Sequence, residues 1–173
     1  MESVRGKLLI AAPSLFDFFR RSVVLMVEHT EDGAFGVVLN RVAEATVAEA
    51  VPELADLAGA EEHVRIGGPV GTDAVVVLGE FEDPAESPKP IAGPVGLVDP
   101  EGEADVRRAR VYAGHAGWGE GQLESELERE AWLVQEADPE DLFLEGDLWP
   151  VALQRRGGEY ALLATMPEDP SLN

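Results

Sequence analysis

The amino-acid sequence predicts a single α/β domain, and three observations carry that prediction. Two early runs, residues 7–12 and 22–29, are dense in aliphatic and β-branched side chains without helical spacing, the pattern of strands buried on both faces. The turn Glu31-Asp32-Gly33 joins the second run to another at 35–39, which predicts an antiparallel hairpin. Helix starts with capping chemistry then intervene, Thr46 with Glu49 and Asp138 ahead of Pro139. A chain of 173 residues suits one core, so residues 1–173 are read as one domain.

The other elements follow in order. Thr46 caps a helical stretch over 47–58, which Pro52 divides into two short turns or a kink. Residues 63–66 lead through Gly67-Gly68-Pro69 to a strand over 74–78. Between 80 and 94, four prolines and four acidic residues leave only Phe81 and Ile91 as large apolar anchors, so a mobile loop is expected. A strand over 110–113 runs into a glycine-rich loop, 114–122, opening a helix at Gln122 with Leu123 and Leu127 on one face. A strand at 132–135, a helix start at Asp138 and a helix over 148–156 stopped by Gly157-Gly158 come next. Residues 160–165 form a last apolar segment, and the tail 167–173 is expected to be loose.

Charge narrows the function. Thirteen basic residues against 34 acidic ones give a net charge of −21, which repels nucleic acid and anionic membrane surfaces, since both rely on Lys and Arg. No direct nucleic-acid or membrane partner is expected. With no cysteine, disulfides, thiol catalysis and cysteine-bound zinc are excluded. Arg5 and Lys7 before an apolar run imitate a secretory signal, but the run continues through Pro13 to Asp17 and Arg20 without a small-residue cleavage site. A cytoplasmic protein is expected.

Candidate chemistry is sparse. Ser22 and His29 lie on one strand at odd spacing, roughly 23 Å apart and on opposite faces, so they cannot form a nucleophile–base pair. Glu28, His29 and Asp32 suggest a metal site, yet adjacent strand residues point to opposite faces; no metal and no cofactor is expected. Glycines in the 114–122 loop would let a ligand approach the backbone, although Glu120, Glu124 and Glu126 oppose a phosphate. Alternatively, those glycines only turn the chain while Trp118 plugs the core.

Ordered matches along nearly the whole chain carry a resemblance. They include Leu9-Ile10-Ala11 with Pro13, Arg21-Ser22-Val23-Val24, Glu28-His29, Gly33-Ala34, Gly36 through Asn40-Arg41, Gly67-Gly68-Pro69-Val70, Gly117-Trp118, Gly121-Gln122-Leu123-Glu124, Trp132 and Met166-Pro167. The chain resembles the AlgH/YqgE family of bacterial proteins. That resemblance implies a mostly antiparallel, branched sheet with flanking helices, and a suggested role in transcriptional regulation without an established activity. Three positions depart from the family pattern: Val42 stands where proline is usual, His115 replaces a tyrosine, and Gly79 replaces a histidine.

The resulting expectation is a non-enzymatic regulatory or binding protein, acting indirectly through a basic partner protein or a small-molecule ligand. Its site would gather Arg21, Glu28, His29, Asn40, Gly68, Trp118 and Gln122. The rival expectation is an enzyme acting on a small polar metabolite, with His29 or Glu28 as base.

Overall fold

The computed structural model describes residues 2–15 and 17–165; the expected loose tail lies outside them. Its strands are β1 (Lys7–Ala11), β2 (Val23–Thr30), β3 (Gly33–Val38), β4 (Val42–Thr46), β5 (His63–Ile66), β6 (Val70–Phe81), β7 (Lys89–Ala92), β8 (Val95–Leu97), β9 (Val106–Trp118) and β10 (Trp132–Glu136). Helices α1 (Val47–Ala50), α2 (Ala55–Ala58), α3 (Gln122–Glu128), α4 (Leu148–Arg156) and α5 (Glu159–Leu163) flank them. The main path runs β10-β1-β2-β3-β9-β6-β8-β7, and β5 with β4 branches from it. Every pairing is antiparallel except β5 with β9, where Arg65 faces Tyr112. The mostly antiparallel, branched sheet is as the resemblance implied.

The apolar runs explain the layers. Leu8, Ile10, Val23, Leu25 and Val27 enter a core closed by Leu148, Trp149, Ala152 and Leu153 of α4. Their alternates Leu9, Ala11, Val24 and Met26 enter a second core with Trp118, Leu123 and Trp132. Period-two alternation thus feeds both sides of the sheet at once. A third core lies under α1 and α2, where Val47 and Leu54 meet Val77, Ala109 and Val111.

Both helix starts behave as predicted. Thr46 and Glu49 exchange the two bonds of a capping box, and a 3₁₀ turn over Pro52–Leu54 separates α1 from α2. Asp138 caps a 3₁₀ helix at Pro139–Phe143.

Three expectations are corrected. Residues 80–94 are not a plain loop: Asp83 caps a 3₁₀ turn at Pro84–Glu86, and β7 pairs with β8. Buried Ile91 and Val95 anchor this hairpin in the first core, and Pro90 is tolerated because β7 is the last strand of the sheet. Residues 114–118 are not loop either, because β9 continues to Trp118, pairing Ala116, Gly117 and Trp118 with β3. Gly114 serves a close crossing there, since a Cβ on it would overlap the Gly68 carbonyl. A Cβ on Gly68 would overlap the His115 carbonyl, and one on Gly67 the Gly114 carbonyl. Finally, β4 forms at Val42–Thr46, where no strand was expected. Its alternation is weak, and only pairing with β5 supports it.

Candidate functional site

The seven predicted site residues do not converge. The structure brings Arg21 and Asn40 together, joins Trp118 and Gln122 through Glu126 and His29 to Glu124 on the same helix, and leaves Glu28 and Gly68 apart from both groups.

The first group is built by Asn40, just beyond β3. Its Oδ1 accepts from the Val23 N–H (2.9 Å), and its Nδ2 donates to the Arg21 carbonyl (2.9 Å) and to Asp147 Oδ1 (2.8 Å). Asp147 also caps α4 through the Trp149 N–H (3.0 Å), while the Trp149 indole N–H donates to the Ala11 carbonyl (2.9 Å). One amide therefore ties the β1–β2 connection, the exit of β3 and the start of α4. Arg21 sits there at φ +55°, a left-handed conformation that costs a side-chain-bearing residue about 1–2 kcal/mol. Its guanidinium lies 4.6 Å from the Trp149 ring centroid. Arg41 lies 4.4 Å over Phe18 and donates to the Arg20 carbonyl (3.0 Å). Asp17, Arg20, Arg21, Asn40, Arg41 and Asp147 line a cleft of about 410 Å³. Asp17 also accepts from the Phe19 N–H (2.8 Å). Three guanidinium groups thus share a cleft with two aspartates engaged in holding local backbone. Planar, preoriented guanidinium groups suit carboxylate and phosphate.

The second group lies across the sheet. A bulge in β2 between Met26 and Glu28 sets the register that follows it. Glu28 then stands opposite Phe35 and His29 opposite Ala34, which in turn faces Trp118. His29 Nδ1 accepts from the Val4 N–H (3.0 Å), so its ring proton sits on Nε2 and is shared with Glu124 Oε1 at 2.5 Å. That bond holds the Glu124 carboxyl below its ordinary range. Both ring nitrogens are engaged and the His29 side chain is 5% exposed, so it offers no free lone pair to a substrate. Glu28, on the opposite face, bonds Lys89, which also lowers its pKa; a general base needs the reverse. The geometry does not supply the base that the enzymatic reading requires. Ser22, for its part, is fully buried.

Trp118 fills the core. It stacks on Phe19 with centroids 6.2 Å apart and meets Trp132 edge-on at 6.1 Å. Glu126 Oε1 accepts from both indoles, at 3.0 Å from Trp118 and 2.9 Å from Trp132. Gln122 Nε2 donates to Glu126 Oε2 (3.1 Å), while its Oε1 accepts the Gly119 N–H (3.0 Å). Gln122 and Trp118 therefore hold structure. The sequence marks Glu126 only as a charge opposing a phosphate; the signal for its role is that buried indoles need an acceptor. Asp147 was missed entirely. At Gly79, where the resemblance implied a histidine, a Cβ would press on Val98 and Val106. His115 packs edge-on against Phe35 at 5.5 Å. Among the described residues, no group of three or more acidic or histidine side chains is placed to hold a metal ion, and no helix is long and apolar enough to cross a membrane.

Fold and cleft together define a class: a single α/β domain on a branched sheet, with an arginine-lined polar cleft beside the β1–β2 connection. The chain belongs to the AlgH-like family, whose model matches residues 8–161. A UPF0301 protein of Streptomyces coelicolor is 41% identical over 188 residues, covering 100% of this chain and 97% of the relative. One of Mycobacterium tuberculosis is 41% identical over 181 residues, covering 97% and 90%. Among solved structures, a Corynebacterium diphtheriae protein superposes with TM-score 0.86 at 32% identity, covering 96% of this chain and 94% of that one. The AlgH protein of Pseudomonas aeruginosa superposes with TM-score 0.73 at 30% identity, covering 96% and 98%.

Proposed function

We propose that this protein is a non-enzymatic binding protein of the bacterial cytoplasm, whose ligand is a small anionic metabolite held in the Arg21–Asn40 cleft. The observation that carries this reading is Arg21 itself. A left-handed backbone at a residue other than glycine persists only where its surroundings hold it, and such strain gathers at functional positions. Here Asn40 supplies the hold, and Arg21 lines the cleft with Arg20 and Arg41. A volume of about 410 Å³ suits a small molecule. The engaged nitrogens of His29 and the lowered pKa of Glu28 favour binding over catalysis.

Regulation would then be indirect. With a net charge of −21, the chain meets a partner protein with a basic surface more readily than it meets DNA. A chain without cysteine also needs no oxidising compartment to fold.

The test is a thermal-shift titration with carboxylated and phosphorylated metabolites at constant ionic strength, because a ligand of the folded state raises its melting temperature. At least one class is expected to give a saturable rise that Arg21→Gln weakens. A flat response across the panel, or one unchanged in Arg21→Gln, would overturn the reading.

A further inference from the structure

A second cationic feature lies inside the fold. Arg65 on β5 stands opposite Tyr112 on β9 across their parallel pairing, and Arg110 precedes Tyr112 by two residues, on the same face of β9. The two arginines are each 7% exposed and Tyr112 is fully buried. Arg110 is well provided for: it donates to the carbonyls of Leu142 (2.6 Å), Phe143 (3.2 Å) and Leu144 (3.3 Å), closing the end of the 3₁₀ helix. It also reaches Glu145 at 3.2 Å, although that carboxylate side chain is 85% exposed.

Its neighbours are not provided for. Arg65 makes one long bond, from Nη1 to the Leu39 carbonyl at 3.3 Å, and among the described residues no carboxylate pairs with it. The Tyr112 hydroxyl is buried without a partner. Its pKa is pushed up to about 12 by burial, against the pull of Arg110 and Arg65. Arg110 is lowered by burial first and by the Arg65 charge second. Two like charges and an orphan hydroxyl on one buried face are costly, because buried cations are ordinarily paired and buried hydroxyls bonded. What Arg65 and the Tyr112 hydroxyl lack in common is an acceptor.

We propose that Arg65, Arg110 and Tyr112 form a buried site for a small oxygen-bearing anion, a carboxylate or inorganic phosphate. The anion accepts from the Arg65 guanidinium and the Tyr112 hydroxyl and offsets the repulsion between the arginines. Of the three residues, Arg110 alone also lines a cleft of about 380 Å³, with Glu62, Arg108, Phe143 and Glu145, and the proposed entry of the anion is on that side. The two glutamates at that mouth favour a compact anion over a polyanion. The site is separate from the Asn40 cleft and does not depend on the function proposed for it.

The experiment titrates the whole protein with phosphate, formate and acetate at matched ionic strength, with chloride as the control, reading melting temperature and binding heat. One of the three oxyanions is expected to stabilise saturably beyond chloride. Tyr112→Phe is expected to be at least as stable as the parent in the chloride control, since it removes an orphan hydroxyl, and to bind roughly tenfold more weakly, the loss of one hydrogen bond to a charged acceptor. Arg65→Gln abolishes the response, whereas Arg21→Gln leaves it intact, which separates this site from the surface cleft. Equal stabilisation by all four salts overturns the proposal, as does an unchanged response in Tyr112→Phe; the latter decides the matter even if Arg65→Gln fails to fold.

Discussion

Asn40→Ala is expected to destabilise the fold by about 3 kcal/mol, at roughly 1 kcal/mol for each of three lost hydrogen bonds. Those bonds go to the Val23 N–H, the Arg21 carbonyl and Asp147. Val23 is fully buried, so its orphaned N–H has no water to replace the amide, which sets the firmest part of the loss. For a domain of this size each kcal/mol moves the melting temperature by about 2–4 °C, so a fall of about 6–12 °C is expected in differential scanning calorimetry. Asn40→Asp separates the bonds from mere bulk. It keeps an acceptor for Val23 but turns a carboxylate toward the Arg21 carbonyl and Asp147. The pKa of the introduced carboxyl is therefore raised in the folded state, so the variant is destabilised at pH 7 and recovers as pH falls and the group protonates. A loss below about 1 kcal/mol in Asn40→Ala, or a flat pH response in Asn40→Asp, would show that the network does not hold Arg21 in its strained conformation.

Glu126→Ala leaves two buried indole N–H groups unpaired and should cost about 2–4 kcal/mol, with tryptophan emission shifting to the red; unchanged emission would refute Glu126 as their common acceptor. Glu124, whose carboxyl is lowered first by the His29 bond, contributes stability above its ordinary value of 4.5 that fades as pH falls through the lowered value. Glu124→Gln should flatten that part of the melting curve between pH 5 and 3, approximate bounds set by ordinary carboxyl values, and parallel curves would count against the bond. Random duplex DNA at low salt should not bind in an anisotropy titration; micromolar affinity that weakens steeply with salt would contradict the charge argument.

The sequence by itself determined the strands that bury both faces, the β2–β3 hairpin and the caps at Thr46 and Asp138. Each of these is written in neighbouring residues: continuous apolar runs, a turn triplet, or a hydroxyl or carboxylate three positions from its partner. It also fixes a net charge of −21, from which weak affinity for phosphate backbones is predicted. What only the tertiary structure decided is which residues meet. Asn40 and Asp147 are 107 positions apart, His29 and Glu124 are 95 apart, and no local pattern encodes either pair. The segment 80–94 looked structureless because turn residues dominate it, yet Ile91 and Val95 reach a core assembled from distant strands. Residues 114–118 looked like a loop because glycine has low strand propensity, yet Gly114 lets β9 pass close to the Gly68 carbonyl. Local chemistry decides where elements begin and end, whereas the site depends on long-range register, which one bulge in β2 helps to set.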